Sequence, residues 1–315
     1  MPDVRLDESV TPAAHRAALV QALRAGRLDN RFHYAGEEAA TRWRALAASH
    51  SPAHDADDGR HAYDAAARAL VDAVPDGPVH LVGLACGDGT KERHLLGALA
   101  ATGRTGITAT AADVSVPLVT AAAEAMAAVP GVERADGVAV ELMTATDLAA
   151  AIGQRAPGTR VVVLYGVLST LGPGALRRAA ALLDPGDLLL VSGNLLPPGG
   201  EDAVMAQYDN AATRDWLAVG LAEAGLADSG PVAFRWDDAG GAVRIVGEVT
   251  PAAPVVATAD GVAVSLPAGT AVTVFESFRH VAGGLSPMLV AAGLSAVDEF
   301  TSPSGEEGVA LGVRP

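Results

Sequence analysis

The sequence predicts an α/β fold: a mostly parallel sheet wrapped by helices, joined to a second, smaller α+β domain. Between Val79 and Asn194, short apolar runs alternate with helical segments, the order that builds parallel strands with crossover helices. A glycine-rich turn, Gly83 to Thr90, sits between the first of those runs and the first of those helices. Beyond Val232 the runs become apolar–polar alternations separated by turns alone, which is the antiparallel pattern.

Thr11 followed by Pro12 reads as an N-cap with proline at the first helical position. The apolar spacing of Ala14, Leu19 and Leu23, with Gly26 beyond, completes an N-terminal helix. From Arg31 to Asp58 the pattern is mixed helix and loop outside the sheet. Phe32, Tyr34 and Trp43 supply aromatics there, and Ser51, Pro52 and the Asp55, Asp57, Asp58 cluster interrupt any long helix.

Five parallel strands are expected at Val79–Leu84, Gly106–Ala111, Gly137–Leu142, Arg160–Leu164 and Asp187–Gly193. Helices fit between them at Lys91–Ala101, Val116–Val129, Thr146–Ile152 and Gly174–Leu183, and Asp184-Pro185-Gly186 stops the last one. This is a Rossmann-like order. Leu195 to Gly200 marks a boundary, followed by a helical stretch over Ala203–Ala227. Strands are then expected at Val232–Trp236, Val243–Val249, Val255–Thr258, Val262–Ser265 and Ala271–Glu276. A helix at Pro287–Ala292 and apolar runs at Ala296–Phe300 and Val309–Val313 close the chain as a hairpin on the sheet.

The chain has 315 residues, a formal charge of −15 and one cysteine, Cys86. Such acidity opposes a nucleic-acid partner, because phosphate-backbone affinity comes from Lys and Arg displacing counterions. The expected ligand is a small molecule. Apolar runs are too short for a membrane span. An N-terminus without a basic start and apolar run, and a cysteine with no internal partner, make a cytoplasmic location the expectation.

The chemistry concentrates in the Gly83 to Thr90 turn, where glycines Gly87 and Gly89 let a cofactor edge approach the backbone. Asp113, at the end of the second strand, stands where a ribose hydroxyl donates to a carboxylate, and it also suits a helix N-cap. Glu141 and Leu142 end the third strand, where a polar and an apolar residue can flank an adenine. A dinucleotide needs G-x-G-x-x-G spacing to bring a helix N-terminus to its pyrophosphate; this turn lacks it, whereas S-adenosylmethionine carries no phosphate. His50, His54 and His61 beside Asp55, Asp57 and Asp58 match no strong zinc spacing and read as a solvated acidic loop, so no metal is expected. Cys86 has no identifiable base and reads as a small packing residue.

Taken together these residues resemble the histidine-specific, ergothioneine-pathway (EgtD-like) S-adenosylmethionine-dependent methyltransferases. The resemblance runs through Arg31-Phe32-His33-Tyr34, Leu84 to Lys91, Ala112-Asp113-Val114-Ser115, Gln207 to Ala212 and Val274 to His280. It implies a class I methyltransferase sheet and a substrate domain formed by the N-terminal segment and an insert. The corresponding divisions are 1–70, 71–196 for the cofactor domain, 197–276 for the insert and 277–315 for the return.

By position, the resemblance implies cofactor contacts from Gly87, Gly89, Lys91, Asp113, Glu141 and Leu142. Tyr34, Tyr208, Glu276 and Ser277 would line the substrate pocket, with Tyr208 or Glu276 as the candidate general base. Departures lie mostly in that pocket. The family's acidic residue at the start of the loop is Gly83 here, its first loop glycine is Ala85, its amine-contacting asparagine falls at Pro173, and its returning glutamate falls on Phe275.

N-methylation of an amino acid or small amine other than histidine is therefore the expected reaction. Aromatic residues make up only 4% of the chain, which argues against a cage for a trimethylated product. The sequence leaves two alternatives open: attack on the aminocarboxypropyl group of the same cofactor, with release of methylthioadenosine, and a non-catalytic cofactor-binding protein. Oligomeric state has no sequence signal.

Overall fold

The computed structural model describes residues 2–50, 58–153, 156–239, 242–259 and 262–315. The first elements are β1 (Val4–Leu6), α1 (Pro12–Arg24), α2 (Gly36–His50) and α3 (Asp58–Ala73). The alternating region follows as β2 (Val79–Leu84), α4 (Thr90–Ala101), β3 (Ile107–Asp113), α5 (Val116–Ala127), β4 (Val132–Ala139), α6 (Leu148–Ile152), β5 (Thr159–Leu164), α7 (Leu168–Leu171), α8 (Pro173–Ala180) and β6 (Leu188–Asn194). The insert contains α9 (Glu201–Ala206), α10 (Ala211–Glu223), β7 (Ala233–Ala239), β8 (Ala242–Val249), β9 (Val255–Ala259), β10 (Val262–Leu266) and β11 (Val272–Phe278). The chain closes with α11 (Leu285–Ala291), β12 (Ser295–Thr301) and β13 (Glu307–Val313).

The main sheet has the order β1-β4-β3-β2-β5-β6-β13-β12. Strands β1 to β6 run parallel, while β13 lies antiparallel to β6 and β12 antiparallel to β13. The central strands are buried on both faces, as apolar runs without alternation require. Successive residues nonetheless enter different cores. Leu81, Val161 and Val163 pack beneath α3, α4 and α5 with Leu70, Leu95 and Met126. Val82, Val162 and Leu164 face α8 and α11 with Leu176 and Leu289.

The smaller unit has its own core, in which Leu23, Leu28 and Phe32 meet Trp216, Leu217, Val272 and Val274. It carries a three-stranded antiparallel sheet, β11-β8-β7, and a β9-β10 hairpin. The N-terminal segment joins it through the backbone: Leu28 N–H donates to Thr273 O at 2.7 Å and Thr273 N–H to Gly26 O at 3.2 Å. The two sequence-distant pieces therefore form one α+β unit.

Some elements differ from the sequence expectation. β1 was unexpected, because three residues cannot display a period; it pairs with β4 at Val4↔Gly137 and Leu6↔Ala139, so the chain begins in the main sheet. α3 also packs there, with Tyr63, Ala66 and Leu70 in the main core, so the packing changes unit before residue 58 rather than at residue 70. The third strand of the expected set, Gly137–Leu142, is instead Val132–Ala139, whose first half is polar and partly exposed. The single stretch Ala203–Ala227 is two helices, because Asn210 accepts Thr213 N–H at 2.9 Å and caps α10. At the other end of the chain, Thr11 accepts Ala14 N–H and Pro12 starts α1, as the sequence implies.

Candidate functional site

A cleft opens at the carboxyl ends of β2 to β5, where the strand order reverses direction. Helix α2 and the smaller unit roof it, with Trp43, Tyr208 and Phe275 facing in. The loop after β2 forms its floor. Gly87 and Gly89 take φ values of 56° and 76°, and Ala85 adopts the same left-handed region at 48°. A Cβ on Gly87 would lie 2.5 Å from the Trp43 ring, so only glycine fits below it. Gly89 does not line the cleft: a Cβ there would stand 2.9 Å from the Ala122 Cα on α5, so the close packing of the start of α4 on α5 requires its absence.

Four of the loop amides are engaged internally. Cys86 N–H donates to Ala112 O, Gly87 N–H to Asp113 Oδ2 at 2.9 Å, Gly89 N–H to Cys86 O and Thr90 N–H to Asp88 Oδ1. They present no amide cradle to a phosphate. Asp113 Oδ1 accepts Ser115 N–H at 2.9 Å, so this carboxylate ties the loop to the start of α5 while lining the cleft. Burial raises its pKa to about 6, against the opposing backbone donors. Glu141 accepts Met143 and Thr144 N–H groups in the turn after β4, and Arg31 Nη1 lies 3.5 Å from it. Leu142 lines the same wall. Cys86 is buried and its thiol is pushed well above the ordinary range, chiefly by desolvation, which leaves it a packing residue.

Lys91 and Glu92 enter from the first turn of α4. Lys91 Nζ stands 5.0 Å over the Tyr63 ring. Glu92 is buried, neither carboxyl oxygen has a hydrogen-bond partner among the described residues, and desolvation raises its pKa to about 8.

At the roof, Tyr34 packs between Trp43 and Trp216 at centroid distances of 6.1 and 5.2 Å. Burial, then the nearby Asp113 charge, pushes its phenol upward. Tyr208 anchors a network: Arg279 Nη2 donates to its hydroxyl at 2.6 Å and Asn194 Nδ2 at 3.2 Å, with Ser277 Oγ 3.0 Å away. Those two donors occupy both phenolic lone pairs and direct the phenolic hydrogen to Ser277, which leaves the Ser277 proton for a ligand.

Glu276 is not in the cleft. Adjacent residues of a strand face opposite sides, so with Phe275 and Ser277 pointing inward Glu276 points out and meets Arg244 Nη1 at 2.7 Å. The expectation that both Glu276 and Ser277 line the pocket is corrected on that ground.

Sequence reasoning passed over Trp43, Glu92, Asn194 and Glu307, all of which line the cleft. Asn194 ends β6, a strand-end position that carries weight in any parallel sheet and was the one available signal. Of the His50, His54, Asp55 and Asp57 group, residues 51–57 and the His50 side chain lie outside the described residues. No helix among the described residues is long and apolar enough to cross a membrane.

No protein-family model and no curated protein matches the sequence. Solved structures do resemble it. A possible exported protein from Bordetella parapertussis shares 12% identity over 97% of each chain, with a TM-score of 0.51. Magnesium protoporphyrin IX methyltransferase from Synechocystis PCC 6803, with bound S-adenosylhomocysteine, shares 11% over 87% of this chain and 94% of that one, at 0.47. The glycopeptide N-methyltransferase complexed with S-adenosylhomocysteine shares 16% over 82% and 88%, at 0.42. Nothing among them points to the histidine-specific family. With its parallel strands running outward from β2 on both sides and the antiparallel β13 next to β6, the chain has a Rossmann-like α/β fold.

Proposed function

We propose that this chain is an S-adenosylmethionine-dependent methyltransferase that methylates the amine of an amino acid or a related small molecule, working in the cytoplasm. The observation that carries the reading is the cleft floor: a glycine loop whose Cys86, Gly87, Gly89 and Thr90 amides are engaged internally, flanked by the carboxylates of Asp113 and Glu141. Such a floor repels a pyrophosphate and suits a cationic nucleoside.

The residues present fit that group. Asp113 offers its remaining lone pairs to ribose hydroxyls, Glu141 and Leu142 flank the base, and Lys91 reaches toward the tail. Bound there, S-adenosylmethionine supplies a methyl group on an electrophilic sulfonium. The chain's own task is orientation, which is worth roughly 7–11 kcal/mol in well-aligned reactions. The Ser277 hydroxyl donates to the substrate, held in place by Tyr208 and Arg279, and the Asn194 side-chain carbonyl accepts from its amine. Trp43 and Tyr34 exclude water above. Neither Glu276 nor Tyr208 is needed as a base, since an amine that enters unprotonated loses its proton to solvent after attack.

Mass spectrometry of the protein incubated with S-adenosylmethionine and a panel of amino acids and amines tests this. S-adenosylhomocysteine formed only with a particular amine is the expected result. Methylthioadenosine above a no-enzyme control would overturn methyl transfer in favour of attack on the aminocarboxypropyl side.

A further inference from the structure

The proposed chemistry leaves the state of Glu92, a cleft residue, unassigned. It sits in the first turn of α4, is 1% exposed, and both carboxyl oxygens lack a partner among the described residues. A buried carboxyl without a partner is costly, and a surface position on the same helix would avoid that cost. Its location is made possible by a glycine: a Cβ on Gly83, near the end of β2, would lie 2.8 Å from Glu92 Cγ and 3.2 Å from Cδ. A second glycine does the same across the cleft. Gly166, just past β5, leaves room for Lys91 Nζ 3.0 Å from where its Cβ would stand.

An ammonium group and a carboxyl group are thus held side by side at the β2/β5 switch point. Asp113 ends β3 and Glu141 lies in the turn after β4, on the other side of the loop. A nucleoside held by them would leave the Lys91 and Glu92 side of the cleft for the group carried on its 5′ carbon. The tail of S-adenosylmethionine bears an α-ammonium and an α-carboxylate, the complement of Glu92 and Lys91.

We infer that Glu92 binds the α-ammonium of the cofactor's amino-acid tail and so selects nucleosides that carry one. The inference rests on the cofactor reading above. A carboxylate–ammonium contact in a dry site is a strong, charge-assisted hydrogen bond, and it gives the buried carboxyl the partner it lacks in the free protein.

The groups facing Glu92 are Lys91 on its own helix, Asp88 and Cys86 on the loop, Asp113 from β3 and Tyr165 after β5. In that setting burial keeps the carboxyl largely protonated at pH 7, with a pKa of about 8. An arriving ammonium drives it to ionise. Ligand binding at pH 7 then releases a proton, and a ligand without the ammonium releases none from this group.

Isothermal titration separates the possibilities with two probes, S-adenosylhomocysteine and 5′-methylthioadenosine, which share the nucleoside and thioether but differ in the amino-acid tail. Glu92→Gln is expected to weaken S-adenosylhomocysteine about 10- to 100-fold and to leave methylthioadenosine within about twofold. Equal weakening of both probes, or of neither, overturns the assignment while leaving the cofactor reading intact. Wild-type protein that binds neither probe nor S-adenosylmethionine sinks the cofactor reading and the inference with it. Titrations of the wild type at pH 7 in buffers of different ionisation enthalpy need no variant. They are expected to show proton release with S-adenosylhomocysteine that methylthioadenosine lacks, and the same proton count for both overturns the assignment.

Discussion

Single residues decide what the cleft can do. Tyr208 and Glu276 lie in neighbouring segments of the smaller unit, yet one is wired into the cleft through Arg279, Asn194 and Ser277 while the other is paired outside it with Arg244. Glu276→Gln is therefore expected to leave kcat/KM within about threefold, because it alters only a partly exposed ion pair. Tyr208→Phe removes the hydroxyl that accepts from a buried guanidinium and should lower kcat/KM by about 10- to 100-fold. Steady-state kinetics on the substrate found by the mass-spectrometric screen distinguishes the two, and a large loss in Glu276→Gln would reverse the assignment. Ala85 carries backbone strain of its own, with φ at 48° in a region that costs an L residue about 1–2 kcal/mol. Ala85→Gly should raise the unfolding midpoint in denaturant, offset in part by the extra freedom of glycine in the unfolded chain.

At the scale of elements, the smaller unit depends on α10 lying close against the N-terminal segment. His33 is fully buried there, with Nε2 donating to Val274 O at 2.7 Å, and Trp216 Nε1 donates to His33 O at 2.7 Å. The crossing point is Gly220, where a Cβ would stand 2.4 Å from His33 Nδ1 and 3.2 Å from Phe32 O. Neither neighbour can yield, since the ring is anchored and the carbonyl is backbone. Gly220→Ala should destabilise the protein by about 1–3 kcal/mol through overpacking. Gly97→Ala, in α4 with nothing within 4 Å of the added Cβ, should instead stabilise it by up to about 1 kcal/mol. Denaturant melts of the two variants check the pair, and equal shifts would show that helix propensity rather than packing governs both.

For the whole molecule, the balance of buried titratable groups sets the pH range of stability. Burial lowers the His33 pKa from 6.5 to about 4, so the unfolded chain binds the extra proton between those values and stability is lost as pH falls through them. Burial raises Glu92 from 4.5 to about 8, so the folded chain binds the extra proton and stability declines as pH climbs toward 8. Between pH 6.5 and 8 the Glu92 effect acts without opposition from His33 and amounts to about 2 kcal/mol. Calorimetry on ligand-free protein should show the midpoint falling over that interval, and Glu92→Gln should remove most of the fall. An unchanged slope in the variant would place the proton elsewhere.

The sequence by itself determined the alternating order of strands and helices from β2 to β6, and with it the place of the glycine turn and of Asp113 at the cleft. Both are local: the alternation of apolar runs and helices, the glycine turn after β2 and Asp113 at the end of β3 are each read within one βαβ unit, where chain proximity and spatial proximity coincide. Two adjacent strand residues, Glu276 and Ser277, could not be sorted the same way, because a β-bulge between Thr273 and Phe275 resets which of them faces in. β1 was invisible because its three residues acquire meaning only against β4. The burial of Glu92 was invisible for a related reason: although Gly83 lies nearby in the chain, what encloses the carboxyl includes Asp113 from β3 and Tyr165 after β5, and among the described residues no partner reaches its oxygens. Facing and burial of this sort arise from contacts between residues far apart in the chain, and only the tertiary structure brought them together.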